Sequence, residues 1–226
     1  MAKRRILPRD FYDRPTLAVA RDLIGKVLVH RRGTTVTSGM IVEVEAYIGE
    51  SDPACHAAPG RTARNALMYG EAGYAYVYLN YGIHCLVNVV TESIDAPAAV
   101  LIRSLAPLDG IDMMRRRRAK RVKGRRVPSG KARAARSTSD LCRGPGNLTM
   151  ALGITLEQNG LDLVASDLFI EDRGFGPHEI VWGPRVGINV GTERPWRAWV
   201  AGHPAVSGKP VSAPPVGGRA PASAVL

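Results

Sequence analysis

One short stretch, residues 40–48, constrains the fold more than any other part of the chain, because its side chains alternate with a period of two. Small and aliphatic side chains fall on one side, and Glu43, Glu45 and Tyr47 fall on the other, as in a half-buried β-strand. The aliphatic side must face a hydrophobic core. The opposite side then presents two carboxylates and a phenol on a rigid element, which suits a catalytic acid or base. The alternative is an ordinary surface strand with solvated acids.

Length and composition favour one globular domain, since 226 residues with 45% hydrophobic and 23% charged side chains are typical of that class. No apolar run approaches the roughly 18 residues that a membrane span requires, and the N-terminal residues lack the apolar core of a signal peptide. Three cysteines, without metal-type pairing, fit a reducing compartment. We therefore expect a cytoplasmic protein with no membrane attachment.

The formal charge of +11 comes from one segment. Twelve Lys or Arg and no acid lie between Met114 and Asp140, so the rest of the chain carries −1 once these twelve are subtracted. The segment predicts a basic loop insertion at about residues 114–139, which is either a phosphate-attracting arm or a solvated insertion. Beyond residue 206 the chain is rich in Pro, Gly and Ala. We expect a single domain over residues 1–206 and a disordered tail over residues 207–226.

The N-terminal part predicts a helix followed by a strand pair. The helix begins near Pro15, with Asp13 as a candidate N-cap and Gly25 as its stop. Residues 26–30 form a strand that pairs with the alternating stretch, and the polar, glycine-containing segment 31–39 connects the two. The alternating stretch is therefore the second strand of a pair.

A second informative region follows, in which Tyr74, Tyr76 and Tyr78 share one face of a predicted strand. A turn, Asn80-Tyr81-Gly82, leads from it into a strand over residues 83–90. Asn and Gly supply the backbone freedom of a tight turn, which places Tyr81 at the tip. An aromatic ring is unfavourable in water, so Tyr81 either wedges into a partner or packs back onto its own protein.

The C-terminal half contains further elements. A buried strand over residues 98–105 carries a lone charge, Arg103, which needs an acidic or phosphate partner. A glycine-proline turn at 142–147 leads into a short helix, whose first amides could hold a phosphate. The remaining predictions are a helix over about 148–152 and strands over 161–170, 185–190 and 196–200.

Five motifs occur in the order VEVEAYIGESDPACHA, YAYVYLNYGIHCLVN, AVLIRSLAPLDG, LCRGPGNL and RVGINVG. Together they resemble the 3-methyladenine (alkyladenine) DNA glycosylase family, over about residues 17–206. The resemblance implies a monofunctional base-excision repair enzyme that flips an alkylated purine such as 3-methyladenine out of duplex DNA and hydrolyses its N-glycosidic bond. It implies no metal and no cofactor. The implied fold is a single mixed α/β (α+β) domain with a curved, mainly antiparallel β-sheet, flanking helices and a protruding β-hairpin.

The same resemblance implies partners and residue roles. We expect a monomer that binds double-stranded DNA containing alkylated purines, at the nucleoid if the protein is bacterial. Glu45 corresponds to the general base that deprotonates the attacking water, whereas Glu43 falls outside that role, so a Glu43→Gln variant is expected to retain most activity. Tyr81 corresponds to the residue that fills the gap in the duplex, with Gly82 and Arg64 as further DNA contacts. The residues implied for binding the flipped base are Tyr47, His56, Tyr76, Tyr78, Asn88, Arg103, Val186 and Gly187.

Two functions of other classes remain as alternatives. A non-catalytic DNA-binding protein would use Tyr81 and the basic segment, but a carboxylate beside a base-sized aromatic slot would weaken its binding to phosphates. A metal-dependent hydrolase could use Glu43, Glu45, Asp52 and His56, although a single His is a poor basis for such a site. The motifs leave open whether hypoxanthine or ethenoadenine is also a substrate.

Overall fold

A computed structural model describes residues 5–123 and 137–208 of the chain. Within these residues the backbone forms one curled, antiparallel β-sheet of nine strands. The strands are β1 (Arg5–Ile6), β2 (Val27–Arg32), β3 (Thr35–Ile48), β4 (Ala75–Asn80), β5 (His84–Val90), β6 (Ala98–Pro107), β7 (Leu168–Asp172), β8 (Ile180–Gly183) and β9 (Arg197–Val200).

Strand β3 organises the sheet, because it is 14 residues long and pairs with three neighbours. Its residues 35–40 pair with β2, residues 39–48 pair with β6, and residues 43–45 pair with β9. The main order is β1-β7-β2-β3-β6-β5-β4, and β8 joins through β9. The register with β6 shifts around Glu43, so β3 bends where its two carboxylates lie.

Four helices pack around this sheet in the described part of the chain: α1 (Arg9–Tyr12), α2 (Thr16–Leu23), α3 (Ile111–Lys123) and α4 (Pro145–Leu152). Short 3₁₀ turns lie at Ala66–Tyr69, Thr138–Asp140 and Leu156–Gln158. None of the helices in the described ranges combines the length and the apolar character needed to cross a membrane.

The hydrophobic core lies between the sheet and helices α2 and α4. The aliphatic side of β3 faces it as its alternation predicts, because Val42, Val44 and Ala46 are fully buried there together with Leu23 of α2 and Leu148 of α4. The predicted fold class is therefore confirmed: a single mixed α/β domain with a curved, mainly antiparallel sheet.

Two local predictions in the N-terminal part are wrong. Asp13 does not cap α2, because Pro15 occupies the N-cap position and the helix has no side-chain cap. Segment 31–39 is mostly strand, since β2 runs to Arg32 and β3 starts at Thr35. The turn is confined to two residues, where Gly33 has a φ of 58° that suits glycine.

The C-terminal predictions hold only in part. The strands at 98–105 and 196–200 and the helix at 148–152 are confirmed, the helix beginning earlier at Pro145. The strand predicted over 161–170 is limited to β7. Residues 185–190 are not a strand but a bent loop, in which Gly187 has a φ of 81°.

The first part of the predicted basic loop is helical. Helix α3 reaches Lys123 because Met114 is fully buried, with its sulfur 3.8 Å from the sulfur of Cys142. Arg117 also donates from Nη1 to the carbonyl of Ala151 at 2.9 Å. These contacts anchor the helix despite its composition. Residues 124–136 and the residues from 209 onwards lie outside the described residues. Ser207, which the sequence predicts to be the first residue of a disordered tail, is instead only 8% exposed and is hydrogen-bonded to Glu43.

Candidate active site

A cavity of about 440 Å³ opens between the far end of β3, the β4–β5 hairpin, β6 and the loop after β8. Its volume and its mixture of aromatic, aliphatic and polar walls are typical of a small-molecule pocket. Met68, Ala99 and Leu101 add apolar wall. The structure brings together in it every residue implied for binding the flipped base: Tyr47, His56, Tyr76, Tyr78, Asn88, Arg103, Val186 and Gly187.

Glu45 lies immediately behind this cavity, fully buried and held by two hydrogen bonds and one ion pair from residues that themselves line it. The backbone N–H of Val186 donates to Oε1 at 2.7 Å. The hydroxyl of Tyr47 donates to Oε2 at 2.9 Å, and Nη1 of Arg103 lies 3.1 Å from the same oxygen. Because these three partners come from β3, β6 and the loop after β8, the carboxylate is fixed relative to three walls of the cavity. The surface-strand alternative, with solvated acids, is therefore wrong for Glu45.

A buried ion pair fixes the loop that supplies the Val186 amide. Arg185 forms a two-point salt bridge with Asp52, in which Nη2 donates to Oδ1 at 2.8 Å, and both side chains are fully buried. Arg185 also donates to the carbonyl of Gly191 at 3.2 Å, which closes the loop on itself. Its guanidinium lies 4.7 Å from the centre of the Tyr47 ring. The pair thus positions both a donor to Glu45 and an aromatic wall of the cavity.

Three clustered aromatic rings, those of His56, Tyr76 and Tyr78, also line the cavity. The ring centres of His56 and Tyr78 are 4.4 Å apart, and those of Tyr76 and Tyr78 are 5.4 Å apart. Burial, and the nearby charge of Arg64, lower the pKa of His56, so its imidazole is neutral at pH 7. Burial raises the pKa of Tyr76, whose hydroxyl lies 2.9 Å from Nδ1 of His56. We assign Tyr76 as the donor, which leaves the proton of the imidazole on Nε2.

Asn88 is placed on the floor of the cavity by strand pairing. It lies directly opposite Tyr76 in the β4–β5 ladder and is 4% exposed. Its amide nitrogen donates to the carbonyl of Tyr76 at 3.0 Å. This bond uses the donor end of the side chain and so fixes which way the amide faces.

The tip of the β4–β5 hairpin stands out at the mouth of the cavity. Tyr81 is 87% exposed, although it also lines the cavity, and Ile83 beside it is 47% exposed. Tyr81 and Gly82 have φ angles of 48° and 65°, which form the tight turn that the sequence predicts. Packing of Tyr81 back onto its own protein is therefore contradicted. Arg64 is exposed near the same opening, with its guanidinium 5.8 Å from the centre of the Tyr78 ring.

Two of the carboxylates that the metal-site alternative would use are paired with arginines. Glu43 pairs with Arg103 and Arg197, and Asp52 pairs with Arg185. In residues 5–123 and 137–208 no group of three or more His, Cys, Asp or Glu side chains is arranged to bind a metal ion.

Three residues around the site were missed by sequence reasoning. Arg185 pairs with Asp52, and Arg197 and Ser207 both contact Glu43. Arg185 is the first residue of the motif RVGINVG, so the motif itself could have identified it as a residue of the site. The other two lie on elements that come close to β3 only through the fold, so local sequence patterns carry no sign of them.

Comparison with known proteins gives a consistent family. The model of the methylpurine-DNA glycosylase family matches residues 10–204. A protein of Methanocella arvoryzae is 47% identical over 206 residues, covering 89% of this chain and 96% of its own. Proteins of Chlorobium phaeobacteroides and Burkholderia lata are 43% and 42% identical, each covering 90% of this chain and 96% and 91% of their own. All three are named, provisionally, as 3-methyladenine DNA glycosylases. The chain belongs to the methylpurine-DNA glycosylase family.

Proposed function

We propose that the protein is a monofunctional DNA glycosylase that flips an alkylated purine such as 3-methyladenine out of double-stranded DNA and hydrolyses its N-glycosidic bond. It acts as a monomer in the cytoplasm, at the nucleoid in a bacterium, through a catalytic domain spanning residues 1–206. The observation that carries the proposal is the buried carboxylate of Glu45, held against an aromatic cavity by two hydrogen bonds and one ion pair. The family and the names of the relatives support the same activity.

The chemistry requires one positioned carboxylate. Hydrolysis delivers a water to the sugar C1′ as positive charge develops there, and a carboxylate can both accept the proton of that water and stabilise the charge. A carboxylate has about four acceptor positions, of which the hydrogen bonds from Val186 and Tyr47 occupy two on Glu45, while Arg103 forms an ion pair with it. We propose that a remaining acceptor position takes the attacking water when DNA is bound, in a direction that Val186, Tyr47 and Arg103 fix.

The aromatic walls account for base binding. In the proposed complex a flipped purine stacks against the rings of Tyr47, His56 and Tyr78, all of which line the cavity, and each stacked base contributes about 1–3 kcal/mol. Because the imidazole of His56 is neutral, it does not repel a cationic alkylated purine. Every base can stack, so normal guanine must be rejected by misfit, a task we give to the fixed amide of Asn88.

Base release from methylated duplex DNA, measured in the presence of EDTA, tests this function. We expect free alkylated purine to appear from the methylated duplex and none from the same duplex without methylation. Tight binding of the methylated duplex with no released base would favour the non-catalytic DNA-binding alternative. Release that EDTA abolishes would instead indicate a metal-dependent hydrolase.

A Tyr81→Ala variant should lose activity on duplex DNA far more than on single-stranded DNA. The exposed ring is proposed to occupy the stack left by the flipped nucleotide, and a single strand has no such gap. We expect a loss of at least about tenfold in single-turnover excision from duplex, equivalent to ~1.4 kcal/mol, and little change on a single strand.

The matched control for Tyr81 is Phe175→Ala, which removes an exposed aromatic ring that does not line the cavity. It should leave both rates unchanged. Equal losses of the Tyr81 variant on duplex and on single strands would show that this ring supports the shape of the cavity and does not intercalate.

A further inference from the structure

Glu43, the neighbour of the proposed base on β3, is fully buried and saturated with donors. Its Oε1 accepts from Nε of Arg103 at 2.9 Å, from Nε of Arg197 at 2.8 Å and from Oγ of Ser207 at 3.0 Å. Its Oε2 accepts from Oγ of Ser104 and from the backbone N–H of Ser207, both at 2.7 Å. Five donors fill the acceptor capacity of a carboxylate, so Glu43 has no free position for a water.

Arg103 links this saturated carboxylate to Glu45. Its Nε donates to Glu43 at 2.9 Å, its Nη2 donates to Ser207 at 3.2 Å, and its Nη1 lies 3.1 Å from Oε2 of Glu45. A guanidinium is planar and rigid, so two of its nitrogens held at one end determine where the third points. The direction of Nη1 towards Glu45 is therefore set by Glu43 and Ser207.

The same cluster is balanced in charge. It contains two carboxylates, Glu43 and Glu45, and two guanidiniums, Arg103 and Arg197, and none of the four is more than 6% exposed. Burial by itself would raise the pKa of Glu43, but the charges of Arg103 and Arg197 hold it below its ordinary value, so Glu43 is ionised. Without its charge, two guanidiniums would face one carboxylate, and charge imbalance is poorly screened in a buried site.

We propose that Glu43 is a positioning residue for base excision, which aims Arg103 at Glu45 and supplies the counter-charge that keeps Glu45 an effective proton acceptor. The proposal rests on the proposed function of Glu45. It replaces the sequence-based expectation, in which Glu43 falls outside the catalytic role and a Glu43→Gln variant retains most activity.

The pH dependence of the rate distinguishes this role from a merely structural one. A Glu43→Gln variant keeps the shape of the side chain but leaves excess positive charge beside Glu45. That charge favours the ionised form of Glu45, so the acidic limb of the rate profile should move to lower pH, and the weaker base should lower the plateau rate about tenfold or more. The groups that face Glu45 from the surrounding elements are Tyr47 of β3, Tyr78 of β4, Arg103 of β6 and Arg185 of the loop after β8.

None of these four neighbours should change its ionisation state over the acidic part of the rate profile. Burial raises the pKa of Tyr47 and of Tyr78, so both phenols stay neutral in acid and at neutrality. Neighbouring carboxylates raise the pKa of Arg103 and of Arg185, despite burial, so both stay charged. His56, which lines the same cavity and whose pKa is lowered by burial, is the same in every variant, so a difference in limb position between the variants reports on the charge of the cluster around Glu43.

Arg197→Gln provides the second, independent arm, because it removes one positive charge from the same cluster. Two carboxylates then share Arg103, so the acidic limb should move to higher pH, opposite to the Glu43 variant. In the double variant Glu43→Gln with Arg197→Gln the charges balance again, and the limb should return towards the wild-type position. Single-turnover excision of methylated duplex across pH, with thermal melting of each variant, measures all three.

Opposite shifts in the two single variants with return in the double variant would support the proposal. The proposal would be overturned if the acidic limb stayed at the wild-type pH in every variant and the excision rates fell only in proportion to the loss of thermal stability. Glu43 would then be a structural residue. If Glu43→Gln does not fold, the Arg197→Gln variant tests the proposal on its own: a shift of its acidic limb to higher pH supports the proposal, and no shift or a shift to lower pH contradicts it. Failure of the proposed function itself would look different, because wild-type protein would release no base or Glu45→Gln would remain active.

Discussion

Replacing Glu45 with Gln is expected to abolish base release from methylated duplex DNA while leaving lesion binding largely intact. The amide keeps the shape of the side chain but cannot accept the proton of the attacking water. Removing a general base lowers rates by typically 10²–10⁴-fold, and we expect a loss of about 10³-fold in single-turnover excision. Gel binding to the same duplex, measured alongside, should change little because the aromatic walls remain in place.

The matched control is Glu157→Gln, which removes an exposed carboxylate that does not line the cavity. It should be as active as the wild type. Survival of excision within about tenfold in the Glu45 variant, ~1.4 kcal/mol of barrier, would assign the base to another group.

An Asp52→Ala variant should be strongly destabilised, because it leaves the fully buried guanidinium of Arg185 without its counter-charge. Removing one partner of a buried ion pair typically costs about 3–5 kcal/mol. The loop that carries Val186 should also loosen, so activity should fall even where the protein is folded. Urea unfolding followed by circular dichroism measures the first effect, and single-turnover excision at low temperature measures the second.

Asp22→Ala offers a direct comparison, since Asp22 also pairs with an arginine, Arg14, at 2.9 Å but is 40% exposed. A pair on the surface contributes about 0–1 kcal/mol, so this variant should be nearly as stable as the wild type. Equal losses of stability in the two variants would mean that the Asp52–Arg185 pair is no more important than a surface contact.

Local patterns predicted β3 and its buried face well, because a period of two is imposed by the strand itself. They could not show what covers the polar face. Glu43 and Glu45 read equally well as solvated acids or as a buried site, and the choice depends on Arg103, Arg197 and Ser207, which are far away in the sequence.

The same periodicity misled over residues 185–190, where Val186, Ile188 and Val190 alternate as in a strand. The structure has a loop there, because Gly187 turns the backbone with a φ of 81° and Val190 is 50% exposed. Apolar side chains at a cavity rim carry the pattern of a strand without its pairing.

Composition misled in a different way over α3. A run of Arg and Lys suggests a solvated loop, but both residues are good helix formers. The buried side chain of Met114 and the hydrogen bond from Arg117 to the carbonyl of Ala151 fix the first turns of that helix to the domain. The anchor is visible only once Cys142 is placed next to it.

The bonds between Ser207 and Glu43 join positions 164 residues apart in the chain. Contacts of such long sequence separation are entropically slow to close and form late in folding. Strand β3 can pair with β6 before residue 207 arrives, but its carboxylate at Glu43 then still lacks Ser207 as a partner. We therefore expect the polar cluster behind the cavity to be completed late in folding, so that the geometry around Glu45 forms only when distant parts of the chain have met.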